Sequence, residues 1–182
     1  MSVFFKAIYE RNVLSIQYNP YNGKEYIIEL HPHYLKQYRK IWYVYGYIDS
    51  SKSEQCIALD RVKSEPIIIK DACFHKSEIN FNAYFEDVIG VTKYIGQKVS
   101  RIMLQIKSKD YTMIMNKPIH SSQRHYKALD DNEWKGLILD VQINPELKRI
   151  LYSYGDIIKV VGPSSLVKDM KRFSKKVNSF YL

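Results

Sequence analysis

Between Leu14 and Ile69 the chain passes through about five short stretches of strand character with no helical stretch between them. Leu14, Ile16 and Tyr18 alternate with Ser15 and Gln17, the period of two that marks a strand with one buried face. The turn Asn19-Pro20-Tyr21-Asn22-Gly23 follows, and its Asn-Gly pair predicts a hairpin into residues 25–30. An extended piece at 32–35, a strand over Ile41–Ile48, a polar turn at 49–54, a strand over 55–59 and a last short strand at Ile67–Ile69 complete the series. Consecutive strands of this kind suggest a small β-barrel. A short helix precedes them, with Ser2 able to cap it and Phe5, Ile8 and Tyr9 as its apolar stripe.

Beyond residue 70 the pattern changes. Residues 71–98 lose the period of two, and Phe81, Tyr84, Phe85, Val88 and Ile89 suit a short helix ending at Gly90. After this bridge come a strand at 99–106, a helix at 108–116, and strands at 123–129 and 134–143 around the acidic turn Asp130-Asp131-Asn132-Glu133. Asn144-Pro145-Glu146 opens a helix, because asparagine caps and proline is pre-set for the first turn. A strand at 157–161 and a terminal helix at 164–180 close the chain. The order β-α-β-β-α-β is the split plan of a ferredoxin-like fold. The expected class is therefore α+β, with a barrel over 1–70, a bridge over 71–98 and a ferredoxin-like extension over 99–182.

The 182 residues carry a formal charge of +9. Residues 1–75 contribute an excess of two cations, residues 76–99 balance, and residues 100–182 contribute seven. The densest run, Lys168, Lys171, Arg172, Lys175 and Lys176, lies at helical spacings and reads first as a solvated face. Such a balance permits an anionic partner without requiring one. No uninterrupted apolar stretch approaches the ~18 residues of a membrane span, and the N-terminus lacks a basic region before a long apolar run. The two cysteines, Cys56 and Cys73, make no disulfide framework and read as buried thiols. A soluble, cytosolic protein without membrane association is expected.

Motifs for enzymatic chemistry are missing: there is no glycine-rich phosphate loop, no nucleophile elbow and no zinc-peptidase histidine pair. His31-x-His33 has no third ligand in sequence, and Cys56, Cys73 and His75 lack the paired spacing of a zinc site. The expectation is no metal, no cofactor and no catalysis. Lys40-Ile41-Trp42-Tyr43-Val44-Tyr45-Gly46-Tyr47 is more informative. On a strand, Trp42, Val44, Gly46 and Ile48 take one face and Tyr43, Tyr45 and Tyr47 the other. Trp42 reads as core. The tyrosine row serves either as packing or as a platform for stacked bases, each base worth ~1–3 kcal/mol in single-strand binders.

Pro32-His33-Tyr34-Leu35, Trp42-Tyr43-Val44 and Leu59-Asp60-Arg61-Val62 resemble the P-x-x-L, W-Y-L and L-D-R-I landmarks of the WYL domain, with Val44 and Val62 as mild apolar replacements. Lys117-Pro118-Ile119-His120-Ser121-Ser122-Gln123, then Glu146-Leu147…Ile150-Leu151…Tyr154-Gly155-Asp156, then Val160-Val161-Gly162-Pro163…Leu166 resemble the WCX extension that follows many WYL domains. The resemblance implies an Sm-like barrel that senses a ligand, often a nucleic acid or a nucleotide, within bacterial transcriptional regulators; for this chain a single-stranded ligand is expected. WYL modules also occur in phage-defence and CRISPR-associated proteins. Regulators of this kind carry an N-terminal winged helix-turn-helix. None precedes the first strand here, so the chain is expected to be either a fragment of a regulator or a stand-alone sensor.

By matched position, the resemblance places the ligand site at Tyr18, His33, Tyr43 and Arg61; Arg39 joins them for its charge just before the Trp42 strand. Arg61 can clamp a phosphate with two parallel donors, or it can serve a structural salt bridge. His33 can donate to an anion, more strongly when protonated, or pack as a structural histidine. The functional expectation is a sensor that shifts population on binding its ligand and biases an attached or associated DNA-binding element. The alternative is a homodimerisation or protein-interaction module that binds no ligand.

Overall fold

The computed structural model describes residues 1–21 and 23–182. The chain divides into two compact units, Met1–Tyr84 and Phe85–Leu182. No helix among the described residues is long and apolar enough to cross a membrane.

The first unit opens with α1 (Ser2–Glu10), whose N-cap is Met1 with no side-chain capping bond, so Ser2 is not the cap. Phe4 and Ala7 of α1 sink into a core with Leu14, Ile16, Ile28, Leu30, Val44, Ile48 and Ile57. Those residues come from β1 (Val13–Tyr18), β2 (Tyr26–Tyr38), β3 (Ile41–Ile48) and β4 (Ser53–Ala58). With β5 (Ile67–Ile69) they form an antiparallel sheet in the order β4-β3-β2-β1-β5. The Asn-Gly pair expected to turn β1 into β2 includes Asn22, which lies outside the described residues. The strands themselves pair as a hairpin, from Leu14 opposite Leu30 to Tyr18 opposite Tyr26.

The two extended pieces expected at 25–30 and 32–35 are one strand. Pro32 does not interrupt it, because β1 pairing ends at Leu30 and a bulge falls between Pro32 and Tyr34. A proline is tolerated at such a bulge. The bulge also bends the sheet. Tyr18 pairs with Tyr26 and Tyr43 with Lys36, partners about 33 Å apart on a straight strand. Yet Tyr43 also pairs with Ala58, and Val62 bridges Tyr18. The four steps along the chain from Ala58 to Val62 reach at most about 14 Å. The sheet therefore curls until its two ends approach.

At Gly46 of β3 the neighbouring strand β2 leaves no room for a side chain. A Cβ there would lie 2.4 Å from the His31 carbonyl oxygen and 2.8 Å from Leu30 Cδ1. The β2–β3 hairpin turns on Arg39 (φ 47°) and Lys40 (φ 67°), both left-handed, which is the mirror-image turn that follows strand twist.

The second unit contains β6 (Ser100–Lys107), α3 (Tyr111–Asn116), β7 (Arg124–His125), β8 (Trp134–Val141), α4 (Pro145–Ser153), β9 (Ile158–Gly162) and α5 (Ser164–Asn178). The first unit's remaining helix, α2, is the single turn Phe81–Tyr84. Strand order β7-β8-β6-β9 is that of the ferredoxin-like plan. Alternate residues of β6 and β8, namely Ile102, Leu104, Ile106, Leu137, Leu139 and Val141, meet Ile114, Leu147, Leu151 and Leu166 from the helices. The strand expected over 123–129 shrinks to two residues, followed by a 3-10 turn at Lys127–Leu129. Asn144 caps α4 as expected, accepting the Leu147 N–H at 2.8 Å. Its amide nitrogen donates to the carbonyls of Ile89 and Thr92, and Gln142 grips Gln97 and Tyr94. Residues 71–98 are thus divided between the two units, with 85–98 held by Gln142 and Asn144.

Candidate functional site

Two clusters of polar side chains in the first unit are tied to its curled sheet. The first lies where β4 ends in the 3-10 turn Leu59–Arg61. Leu59 and Val62 pack on the core, so the turn is pinned from inside. The Asn19 N–H donates to the Arg61 carbonyl at 3.0 Å, and the Lys63 N–H donates to the Gln17 carbonyl at 2.9 Å. With its backbone held at the end of β1, Arg61 lays its guanidinium 3.9 Å over the Tyr21 ring. Nη1 makes a long bond of 3.4 Å to the Tyr18 hydroxyl, and the buried Nε has no partner among the described residues. Burial works against the charge, but the flanking Tyr18 and Tyr21 oxygens outweigh it and hold the group above its ordinary range.

Arg61 meets no carboxylate within ion-pair distance among the described residues. Its neighbour Asp60 instead accepts the Tyr21 hydroxyl at 3.3 Å. Of the two readings open for Arg61, the salt bridge is not formed. A planar cation mounted on two tyrosines keeps donors for an incoming oxyanion.

The second cluster lies on the opposite face of β2 and β3. The His75 N–H donates to His31 Nδ1 at 2.9 Å, so the His31 proton sits on Nε2 and reaches Asp49 at 3.1 Å. His33 Nε2 donates to the His75 carbonyl at 2.7 Å, and its Nδ1 meets Glu54 at 3.2 Å. Two histidines of one strand therefore grip a single residue from both sides of its backbone. The His75 ring stacks on Tyr47 at 3.9 Å, Phe74 meets both strand histidines, and Phe81 stacks on Tyr34 at 5.2 Å. Burial lowers the affinity of His33 for its proton, but the Glu54 bond and charge and the His75 carbonyl outweigh it, so His33 titrates above its usual value. Glu54 is pushed up by burial and pulled down further by His33 and Ser77, ending below its usual value.

These contacts sort the residues that the sequence proposes. Tyr18, only 5% exposed, and Arg61 come together. His33 belongs to the other cluster, and with both ring nitrogens taken it has no donor left for an external anion. Arg39 stands at the β2–β3 hairpin tip, 5.6 Å from the Tyr38 ring. Tyr43 is half-buried between Lys36 and Ala58. Trp42 is half-buried too, not core: its face is right, but the core ends at Val44. The tyrosine row resolves as packing at Tyr45 and Tyr47, which lie under Phe81, Tyr84 and His75. Cys73, expected buried, is exposed. Tyr21 was legible only as a turn residue, because nothing local in sequence announces that its ring carries Arg61. An open depression of about 540 Å³ beside His31, Asp49 and Cys73 borders the histidine clamp.

A curled antiparallel sheet with a leading helix, and at its seam a cation that meets no carboxylate among the described residues, makes a small β-module. Residues 1–65, most of the N-terminal unit, match the model of the WYL domain. No curated protein matches the chain. Among solved structures, it is similar to one titled as a CRISPR Cas-related protein, at 10% identity and a TM-score of 0.57, covering 99% of this chain and 50% of that one. It is also similar to proteasome accessory factor B/C (PafBC) of Arthrobacter aurescens, at 20% identity and a TM-score of 0.42, covering 91% of this chain and 25% of that one. The chain thus spans half or less of the length of either structure. The first of these likenesses shows that the α+β fold extends across nearly the whole chain.

Proposed function

We propose that this chain is the sensory part of a WYL-type transcriptional regulator, acting in the cytoplasm, and that its ligand is a nucleotide or a single-stranded nucleic acid. Arg61 carries the proposal: a guanidinium supported by Tyr18 and Tyr21 that, among the described residues, has a buried Nε without a partner and no carboxylate within ion-pair distance. A phosphate oxygen supplies the charge that the site lacks, and Tyr21, 73% exposed, offers an aromatic surface next to it. Phosphate on Arg61 ties the 59–63 segment more firmly to β1. That is a differential contact by which a ligand can favour one arrangement of the seam over another. The second unit, which resembles the WCX extension in sequence, transmits this bias to a DNA-binding element in the same or a partner chain.

The test is fluorescence anisotropy of a labelled oligothymidylate over a salt series. Affinity is expected to fall with salt, with a log–log slope of about −0.7 per phosphate neutralised. Arg61→Ala should weaken binding about tenfold or more and flatten the slope, while the melting curve stays close to wild type. Undiminished affinity in a folded Arg61→Ala variant would remove the site.

A further inference from the structure

The second unit leaves one strand edge open. β9 pairs with β6 alone, and the Lys107 N–H donates to the Ile157 carbonyl at 3.0 Å where their ladder begins. Antiparallel pairing alternates from that point. The amide and carbonyl groups of Lys159 therefore turn toward β6, and those of Ile158 and Val160 turn outward. No strand among the described residues takes them.

Beside this edge runs α5. Between the two lies a depression of about 600 Å³, bordered on one side by Ile158, Lys159 and Val160 and on the other by Val167, Met170 and Lys171. Its floor is apolar, since Val167 and Met170 pack on the same core as Ile158 and Val160. Its rim is cationic: Lys171 is exposed, and Lys159 reaches across to within 6.0 Å of the Trp134 ring centre. Asp156, the one acid among the described residues that line it, is already ion-paired with Lys107. An open strand edge facing a helix across an apolar trough is the geometry in which an extended peptide adds as a further strand.

We propose that the groove between β9 and α5 docks an extended acidic segment of a partner protein by strand addition. Its backbone pairs with Ile158 and Val160, its alternate apolar side chains lie on Val167 and Met170, and its carboxylates face Lys159 and Lys171. Charge selects this occupant over a second copy of the chain. A copy presenting its own β9 would bring two α5 helices together, each with Lys168, Lys171, Arg172, Lys175 and Lys176 exposed. The only acid on that helix, Asp169, is held by Lys148 and Arg172. Charge attracts a nucleic acid as well, but the apolar floor and the outward amides have no use in holding one.

The probe is a fluorescein-labelled peptide, Glu-Val-Glu-Ile-Glu-Val-Glu, titrated with the full chain, with the Lys-for-Glu peptide and an oligothymidylate as controls. Saturable binding of the acidic peptide alone is expected, together with amide exchange at Ile158 and Val160 slowed about tenfold or more. The double variant Lys159→Glu with Lys171→Glu should weaken binding at least about tenfold with folding intact. Val160→Pro removes one outward N–H at an edge where proline is tolerated, and should abolish strand addition. Should that variant fail to fold, the charge-reversed pair and the exchange measurement decide. No binding of the acidic peptide at about 1 mM, undiminished binding in the charge-reversed pair, or protection outside β9 would each overturn the proposal. So would self-association that Val160→Pro dissolves, or an oligothymidylate that displaces the peptide from β9.

Discussion

Replacing His33 with alanine tests the clamp that holds residues 74–77 on the sheet. The substitution removes the bond to Glu54 at 3.2 Å and the bond to the His75 carbonyl at 2.7 Å. Both partners of the ion pair are well buried, with side-chain exposures of 7% and 14%, so water replaces the lost contacts poorly. A bond to a charged group is worth about 1.5–3 kcal/mol and a neutral one about 0.5–1.5 kcal/mol. The expected loss is about 2–4 kcal/mol. For a unit of this size even about 2 kcal/mol lowers Tm by roughly 8–16 °C.

The loss also depends on pH, and its sign follows from the two shifts. His33 is raised above 6.5 in the folded state, so its contribution is complete below 6.5 and declines as pH climbs through the raised value. Glu54 is lowered from 4.5, so its contribution is complete above 4.5 and is lost as pH falls through the lowered value. Calorimetric melts of wild type and His33→Ala should therefore differ most between pH 4.5 and 6.5. The gap should narrow toward pH 9, where a neutral ring keeps only its bond to the His75 carbonyl. A gap that stays flat, or widens as pH rises, would refute the ion pair as the source of the stability.

Other substitutions probe the fold elsewhere. Gly46→Ala should destabilise by about 1–3 kcal/mol in thermal melts, because the new methyl meets the His31 carbonyl, which is backbone held in the β2–β3 ladder. Asn144→Ala should cost about 2–4 kcal/mol by denaturant titration, since it removes a cap and strands the carbonyls of Ile89 and Thr92. Val44→Ala should destabilise more than Trp42→Ala measured under the same conditions, since Val44 is fully buried and Trp42 is not.

Much of this architecture was legible from local pattern. The alternation at Leu14, Ile16 and Tyr18, the Trp42 strand and the Asn144-Pro145 helix start all hold in the structure, because each rests on burial period or capping chemistry close in sequence. The ferredoxin-like strand order is likewise recovered. What was hidden depends on distant partners. Pro32 reads as a break, yet β2 passes through it because β1 has already ended. Arg39 and Lys40 make a left-handed turn without the Asn-Gly signal, so the pairing of the flanking strands decides their conformation. His33 looks available for an anion until Glu54 and His75 come across from residues 21 and 42 positions away. Tyr21 gains its role only when the seam closes beneath Arg61. Trp42 lies on the inward face but past the end of the core, a distinction that periodicity does not carry.

If Arg61 is the anion clamp proposed for the N-terminal unit, its side-chain resonance reports on that directly. The buried, unpartnered Nε–H of Arg61 should give a distinct nitrogen–proton signal in a labelled sample. Titration with unlabelled oligothymidylate should shift that signal downfield and slow its exchange with water, in step with the anisotropy isotherm. If the oligonucleotide binds with the same isotherm while the Arg61 signal stays unmoved and only resonances of the α5 lysines respond, Arg61 is not the binding site.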